Sequence, residues 1–260
     1  MMLFRRYIRC LILLCGIAFL PQFLWGQDFR YAPEAKGFLV ENKHYYVDYN
    51  TEHKQPNWVY YMLTQTHITG NTPRSSSFKD CKIEEISSAS HKDYVRSGYD
   101  KGHLCPTADM KLSKEAMAET FQMWNISPQD PSLNRGRWSD LEAKVRSYIR
   151  NEADTLFVVT GPVFIGKVES VGNGKVTVPT LFCKVIYCPG RGGIAFLLPN
   201  QKIKSDIKSW QVSIDLVEAI TGIDFFPQLP EELQNEIESQ VIWWDNILQQ
   251  WKKKKYILIS

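Results

Sequence analysis

The chain has 260 residues, of which 44% are hydrophobic, and a formal net charge of +3. This composition excludes a disordered or low-complexity protein, and the length is sufficient to bury a substantial core. Three arginines before residue 27 account for the whole excess of positive charge, so residues 27–260 are neutral. A neutral chain cannot bind a polyanion through its overall charge, and affinity for phosphate would require a local basic patch.

Residues 1–26 predict an export signal peptide. Arginines precede the apolar run 11–20, and Gly26 offers a small residue for cleavage. The run is too short for a comfortable membrane span. We therefore expect a secreted or periplasmic protein without stable membrane association, and an uncleaved anchor is the alternative.

Residues 27–260 are predicted to form a single domain, because no Gly/Ser-rich linker or internal repeat interrupts them. The domain contains four cysteines, which an exported protein can oxidise and which allow three pairings. An odd spacing on one predicted strand places Cys183 and Cys188 on opposite faces, so these two are not expected to pair. Pairings that involve Cys81 and Cys105 are left open.

The predicted secondary structure is segregated rather than alternating, which favours an α+β fold. Apolar and β-branched runs predict strands at 38–49, 58–64, 156–160 (ended by Gly-Pro), 176–187 and 193–198. Helical spacing of apolar residues predicts helices at about 136–152, from Ser213 to Gly222, and from Pro230 onwards. The last helix has an apolar stripe made of Leu233, Ile237, Val241, Trp244 and Leu248. The polar stretch 66–91 is predicted to be mostly loop.

The segment 99–104 contains several side chains that could take part in catalysis. Hydrolysis of a phosphodiester needs a base for water, positive charge for the phosphoryl oxygens, and help for the departing oxygen. His103 suits the first task near neutral pH, and Lys101 supplies a cation. Gly102 has no side chain and is expected to let a phosphate backbone approach closely.

Asn134 and Glu142 are candidates for holding a metal ion. In a regular helix, eight residues bring them to within roughly 80° of the same face. Magnesium keeps several waters and takes few protein ligands, so one amide oxygen and one water-holding carboxylate would suit it. From spacing alone, a helix cap at Asn134 and a surface acid at Glu142 explain the pattern equally well.

Five segments together resemble the DNA/RNA non-specific endonuclease family of the ββα-metal superfamily, which includes secreted bacterial nucleases and mitochondrial endonuclease G. The family's Asp-Arg-Gly-His motif is matched by Asp-Lys-Gly-His at 100–103, with lysine in place of arginine. Asn-Ile-Ser-Pro-Gln at 125–129 and Asn-Arg-Gly-Arg-Trp-Ser-Asp-Leu-Glu at 134–142 match two further motifs. Residues 56–64 and 221–226 resemble flanking segments, so the likeness spans about 38–240.

The resemblance implies a mainly antiparallel central sheet flanked by helices, with a ββα-metal motif at the active site. It implies that the enzyme cuts DNA and/or RNA to 5′-phosphate and 3′-hydroxyl ends with a divalent cation, usually Mg²⁺, or Mn²⁺ or another divalent ion. The roles it implies are a general base (His103), a direct metal ligand (Asn134), a carboxylate that holds metal-bound water (Glu142), a supporting carboxamide (Asn125), and phosphate-binding cations (Arg74, Lys101 and Arg135). Contacts with the phosphate backbone predict weak sequence preference.

Several alternatives fit the sequence less well. The chain could be a catalytically inactive nucleic-acid-binding relative, or a phosphodiesterase for a non-polymeric substrate. An exported structural or adhesive domain would make the ordered motifs accidental. A thiol nucleophile at Cys105 is disfavoured because nothing nearby orients it towards His103. The sequence does not indicate an inhibitor partner.

Overall fold

The computed structural model describes residues 29–74, 77–81 and 88–241. The predicted signal peptide lies outside these ranges, as do Trp244 and Leu248 of the predicted last helix. The strands are β1 (Phe38–Glu41), β2 (Tyr46–Asn50), β3 (Gln55–Thr64), β4 (Asp100–His103), β5 (Ile126–Gln129), β6 (Thr155–Val163), β7 (Ser170–Val171), β8 (Val176–Thr177), β9 (Leu181–Cys188), β10 (Gly192–Pro199) and β11 (Gln211–Val212). The helices are α1 (Gln65–Thr69), α2 (Lys114–Glu119), α3 (Pro131–Leu133), α4 (Ser139–Asn151), α5 (Ile214–Thr221) and α6 (Glu231–Glu238).

A seven-stranded sheet in the order β1-β2-β3-β6-β9-β10-β11 forms the centre of the fold. Every neighbouring pair in it is antiparallel. Helix α4 packs its apolar face, including Leu141 and Val145, against one side of the sheet. Residues of α5 and α6, including Val217 and Ile237, cover the other side. The predicted α+β class with a mainly antiparallel sheet is confirmed.

Two predicted strands are divided in the structure. The predicted strand 38–49 forms β1 and β2, because a turn in which Asn42 N donates to Tyr45 O reverses the chain. The predicted strand 176–187 forms β8 and β9. In both cases a short segment of polar or turn-forming residues, 41–44 and 179–180, separates the two strands, and the prediction had read across it.

Strand β6 continues past the predicted stop at Gly161-Pro162. Its residues up to Thr160 pair with β3 on one side, whereas residues 161–163 pair with β9 alone. Pro162 therefore lies where β6 has lost one neighbour, and its missing N–H leaves no gap in a ladder on that side. The proline did not end the strand because it occupies a locally unpaired edge.

The helix ends follow their sequence signals in part. Ser213 Oγ accepts from Leu216 N over 3.2 Å at the start of α5, and Gly222 ends the helix with a left-handed φ of 67°. Helix α6 follows Pro230, as predicted, but it ends at Glu238, so Val241 lies beyond it.

Among the residues that the structure describes, none of the helices has the length and apolar character needed to span a lipid bilayer.

The four described cysteines are buried and free of disulfide bonds. Cys188 packs on the α4 side of the sheet and Cys183 on the α5–α6 side. The prediction that they face opposite ways on one strand is confirmed. Burial raises the pKa of the Cys105 thiol well above its ordinary value, so a thiolate nucleophile at this position is disfavoured.

Candidate active site

The three sequence motifs form one continuous piece of structure. Strands β4 and β5 pair antiparallel, with His103 opposite Ile126 and Asp100 opposite Gln129. The chain then passes through α3, a segment at Asn134–Trp138 that is kinked at Gly136, and α4. Two strands are thus followed directly by a helical segment, and the functional candidates project from both parts.

A cleft of about 600 Å³ opens between these two parts. Of the seven predicted site residues, it brings together six and leaves out Asn125. The six that line it are Arg74, Lys101, His103, Asn134, Arg135 and Glu142, and they are joined by Asp100, Arg146, Phe78 and Tyr99 among others. We refer to this set as the active-site cleft.

His103 is wedged between two aromatic rings. Its ring centroid lies 5.5 Å from that of Phe78 and 5.0 Å from that of Phe121. Burial and the positive charge of Arg74 lower the pKa of His103 from 6.5 to about 3, against an opposing hydrogen bond to the Lys101 backbone. The Nε2 atom is buried and has no hydrogen-bond partner among the described residues. The imidazole is therefore neutral at pH 7 and retains the capacity to accept a proton.

Gly102 serves a purpose other than the predicted one. It is buried, and a Cβ added to it would lie 2.7 Å from Gln129 Cβ and 3.0 Å from Gln129 Cδ. The glycine is thus required by the side chain of the paired strand β5 beneath it. The expectation that it clears space for a phosphate backbone is wrong, because the crowded side faces the protein interior.

Asn134 and Arg135 both bind the carboxylate of Asp100. Asn134 Nδ2 donates to Asp100 Oδ2 over 2.9 Å, and Arg135 donates from two nitrogens over 2.6 and 2.8 Å. The Asn134 amide is held so that its Oδ1, which accepts no hydrogen bond from a described residue, stays available for another ligand. These bonds and the Arg135 charge, working against partial burial, lower the pKa of Asp100, so it stays ionised.

The path from Asn134 to Glu142 is not a regular α-helix. Gly136 has the non-helical angles φ −114° and ψ −113°, which make a kink between two helical pieces, and α4 begins at Ser139 rather than near 136. The angular estimate from a regular helix therefore does not apply. Both side chains nevertheless face the same cleft.

Glu142 lies at the floor of the cleft in a buried network of charges. Burial raises the pKa of Glu142 to about 7, opposed by Lys184 and reinforced by Asp109. Arg146 Nη1 donates to Asp109 Oδ1 over 2.9 Å and lies 3.9 Å from Glu142 Oε2. Tyr61 donates its hydroxyl to the other Asp109 oxygen over 3.1 Å. The carboxylate of Glu142 thus lies near the positive charges of Arg146 on α4 and Lys184 on β9.

Lys184 is the most unusual member of this network. It is 1% exposed in the middle of β9, and its Nζ donates to Thr160 Oγ1 over 2.7 Å. The same Nζ lies 5.0 Å from the centroid of the Trp138 ring. Burial lowers the pKa of Lys184, while Glu142 and Asp109 oppose the shift. A lysine at this depth offsets the negative charge beneath the cleft.

Asn125 lies behind the cleft and is not among the residues that line it. Its Oδ1 accepts from Cys105 N over 2.8 Å, and its Nδ2 donates to Cys105 O and Thr120 O, each over 2.9 Å. All of its amide groups are therefore used by the backbone just after His103. This geometry fits the predicted supporting role. It also rules out a glycan, since Asn125 is fully buried.

The cleft provides several cations to a ligand. Lys101 Nζ lies 4.6 Å from the centroid of Phe78, and Arg74 Cζ lies 5.7 Å from that of Phe121. Arg135 is 72% exposed while still paired with Asp100. A local basic wall of this kind suits a polyanion that the neutral chain as a whole would not attract.

Sequence reasoning missed Asp100, Asp109, Arg146 and Lys184 as members of the site. Arg146 follows Glu142 by four residues on one helix, which is a recognisable ion-pair spacing. Lys184 stands alone in an apolar strand, which is itself a signal of a partnered buried charge. Asp100 and Asp109 lie inside the matched motif, but nothing in the sequence shows which partners they contact.

Comparison with known proteins agrees with this architecture. The DNA/RNA non-specific endonuclease family matches residues 30–232. A nuclease of Nostoc sp. is 32% identical over 78% of this chain and 78% of its own length. The mitochondrial nuclease EXOG of Xenopus laevis is 34% identical over 71% of this chain and 57% of its own length. The fold and cleft therefore define a metal-dependent nucleic-acid hydrolase.

The chain belongs to the DNA/RNA non-specific endonuclease family, as its motifs predicted. Human mitochondrial endonuclease G is 29% identical over 78% of this chain and 74% of its own length. A crystal structure of an EndoG/EndoGI complex, described as showing the mechanism of EndoG inhibition, superposes with a TM-score of 0.70 at 29% identity. That superposition covers 76% of this chain and 89% of the other.

Proposed function

We propose that this protein is a secreted, magnesium-dependent endonuclease that cuts DNA and/or RNA without sequence preference and leaves 5′-phosphate and 3′-hydroxyl ends. His103 acts as general base, and Asn134 binds the cation directly. Glu142 holds water bound to the cation. Arg74, Lys101 and Arg135 bind the phosphate backbone. The observation that carries the proposal is that these six side chains line one cleft.

The residues present suit a divalent cation. Asn134 offers an amide oxygen that accepts no hydrogen bond from a described residue, because its nitrogen is committed to Asp100. Glu142 adds a carboxylate in the same cleft. An all-oxygen donor set with few protein ligands favours Mg²⁺, with Mn²⁺ as a substitute. Such a cation supplies charge to the phosphoryl oxygens and assists the leaving 3′ oxygen.

Side chains of the protein bind the phosphate, accept the proton and stabilise the developing charge. A phosphate bound by Arg74 and Lys101 brings negative charge beside the imidazole, which offsets the repulsion from Arg74 and raises the pKa of His103. The base thus becomes stronger when substrate is present. His103 then takes a proton from the attacking water, and the cations stabilise the charge that develops on the phosphoryl oxygens.

Weak sequence preference follows from the composition of the cleft. Its charged groups suit phosphate oxygens, whereas base recognition requires polar groups that reach the base edges in a groove. Tyr99 also lines the cleft, and an aromatic ring can stack on a base of any identity. The chain is therefore expected to cut single- and double-stranded substrates of varied sequence.

The test incubates purified wild-type protein and His103→Ala with a plasmid and with a single-stranded RNA. Each reaction is run with and without Mg²⁺. We expect cleavage by the wild type with Mg²⁺ alone, and a rate for His103→Ala at least about 100-fold lower. Phe29→Leu, remote from the cleft, is the matched control. Equal cutting by wild type and His103→Ala would refute the proposed mechanism.

The compartment and domain boundaries also form part of the proposal. Residues 1–26 are proposed to be a cleaved export signal, and residues 27–260 a single nuclease domain. Amino-terminal sequencing of protein from a culture supernatant tests both, since cleavage after Gly26 would begin the mature chain at Gln27. Retention of the intact amino terminus in the membrane fraction would contradict secretion.

A further inference from the structure

A second cluster of carboxylates lies on the side of the sheet opposite the cleft. Asp215 and Glu218 are three residues apart on α5, and Glu238 is the last residue of α6. One carboxylate oxygen from each lies within 4.8 Å of those of the other two. We refer to these three residues as the acidic cluster. It joins two helices that both pack against β10.

The surroundings of Glu238 disfavour an ionised carboxylate. Glu238 is 6% exposed, and its Oε1 is buried without a hydrogen-bond partner among the described residues. It also lies at the carboxyl end of a helix, where the helix dipole disfavours negative charge. A buried carboxylate that has an unpartnered oxygen and that also approaches two other carboxylates indicates a missing positive ligand.

The described charged groups around Glu238 add further negative charge and no positive charge. Burial raises the pKa of Glu238 to about 7, and the further contributions come from Glu218, Asp215 and Asp224, all of them acids. Burial also raises the pKa of Glu218, although Phe225 N donates to its Oε1 over 2.7 Å. Within the described ranges, no lysine or arginine offsets the charge on Glu238.

We propose that Asp215, Glu218 and Glu238 form a structural calcium site that fastens α6 to α5. The donors are all oxygen, which favours a hard cation over zinc or copper. Calcium accepts six to eight oxygen ligands in irregular geometry, including bidentate carboxylates. Asp215 is exposed, which leaves positions for water. With three carboxylates and an open side, the expected Kd is about 10⁻⁴–10⁻³ M.

The proposal predicts a stabilisation that can be separated from the active site. The full chain carrying Asn134→Ala is the background, so that a cation held by Asn134 does not contribute. At a calcium concentration ten times Kd, the midpoint of thermal unfolding should rise by about 4 °C. Glu238→Gln added to this background should abolish the rise. Glu236→Gln, an exposed acid on the same helix, should keep it.

The calcium-free protein gives a second readout. In EDTA at pH 8, Glu238→Gln should melt at a higher temperature than the wild type, because it removes an uncompensated buried charge. Calcium should then reverse the order of the two melting temperatures. Titration calorimetry with CaCl₂ should detect one binding event in the Asn134→Ala background and none after Glu238→Gln.

Two results would overturn the proposal. The first is the absence of a calcium effect on the background chain, and the second is an equal effect with Glu238→Gln. Because none of these measurements uses nuclease activity, their outcome is independent of the proposed function.

Discussion

The side-chain nitrogen of Asn134 donates to Asp100 Oδ2 over 2.9 Å, and this bond connects the first strand of the site to the helical segment that follows the second. It fixes which end of the Asn134 amide faces the cleft. The same carboxylate holds Arg135 through two further bonds. Asp100 therefore orients a proposed metal ligand and a proposed phosphate ligand at once.

Replacing Asp100 should weaken metal binding without removing a metal ligand. Asp100→Ala frees the Asn134 amide to rotate, and loss of such an orienting partner typically lowers metal affinity by about 10–100-fold. The Mg²⁺ concentration for half-maximal cleavage should rise by at least about 10-fold. Arg135→Ala, which leaves the Asn134 bond intact, should raise the KM for DNA and leave the Mg²⁺ midpoint unchanged. An unchanged midpoint in Asp100→Ala would show that Asn134 needs no such partner.

The low pKa of His103 can be observed directly. Burial and Arg74 lower this pKa from 6.5 to about 3, so the imidazole should stay neutral well below pH 5 in the metal-free protein. Arg74→Ala removes a repelling charge and should move the pKa upwards, towards 6.5. Nuclear magnetic resonance titration of the imidazole signals measures both. Arg74→Lys keeps the charge and should behave like the wild type; a pKa insensitive to Arg74 would assign the whole shift to burial.

Glu142 should destabilise the metal-free protein at alkaline pH. Its folded-state pKa of about 7 lies above the ordinary 4.5, so its stabilising contribution is full below pH 4.5 and is lost as the pH rises through 7. Glu142→Gln imitates the protonated form. In EDTA it should raise the free energy of unfolding by about 3 kcal/mol at pH 8 and leave it nearly unchanged at pH 4.

The same variant should lose nuclease activity, since glutamine cannot supply the negative charge proposed to hold metal-bound water. Asp140→Asn, an exposed neighbour on α4, should change the free energy of unfolding by less than about 0.5 kcal/mol at both pH values. Urea denaturation followed by circular dichroism measures each difference. A destabilised Glu142→Gln at pH 8 would mean that the carboxylate is favourably paired even without metal.

Asn125→Ala tests the support behind His103. The substitution leaves the backbone groups of Cys105 and Thr120 without their buried partners, and the expected loss is about 3 kcal/mol in the free energy of unfolding. Because Asn125 does not line the cleft, the KM for DNA should change little while kcat falls through displacement of His103. A change in KM alone would indicate that Asn125 contacts substrate after all.

The sequence was sufficient to predict the parts of the site that are close along the chain. His103, Asn134 and Glu142 fall within 40 residues, and the two strands and helix that carry them are consecutive, so the motif order determines their proximity. Gly102 was misinterpreted because its neighbour Gln129 is supplied by the paired strand. The kink at Gly136 likewise leaves the spacing of apolar residues unchanged, which is why α4 begins later than predicted.

The residues that the sequence did not reveal reach the site from distant elements. Tyr61 comes from β3 and Lys184 from β9, and sheet order places these strands beside α4. Their roles depend on burial, which the sequence indicates only as apolar surroundings. The strand breaks at 42–45 and 178–180 were missed for a different reason, since the turn-forming residues there, Asn42 and Pro179, were absorbed into runs of β-prone residues.

Lys184 offers the sharpest test of the network beneath the cleft. Lys184→Met removes the buried cation that offsets Glu142 and Asp109, and the expected cost is about 3 kcal/mol in EDTA at pH 8. In a Glu142→Gln background one of the two carboxylates is already neutral, so the same substitution should cost about 1 kcal/mol less. Lys202→Met, an exposed lysine, is the control for loss of charge. Strictly additive effects in this double-mutant cycle would show that Lys184 and Glu142 do not interact, and that Lys184 does not oppose the rise in the pKa of Glu142.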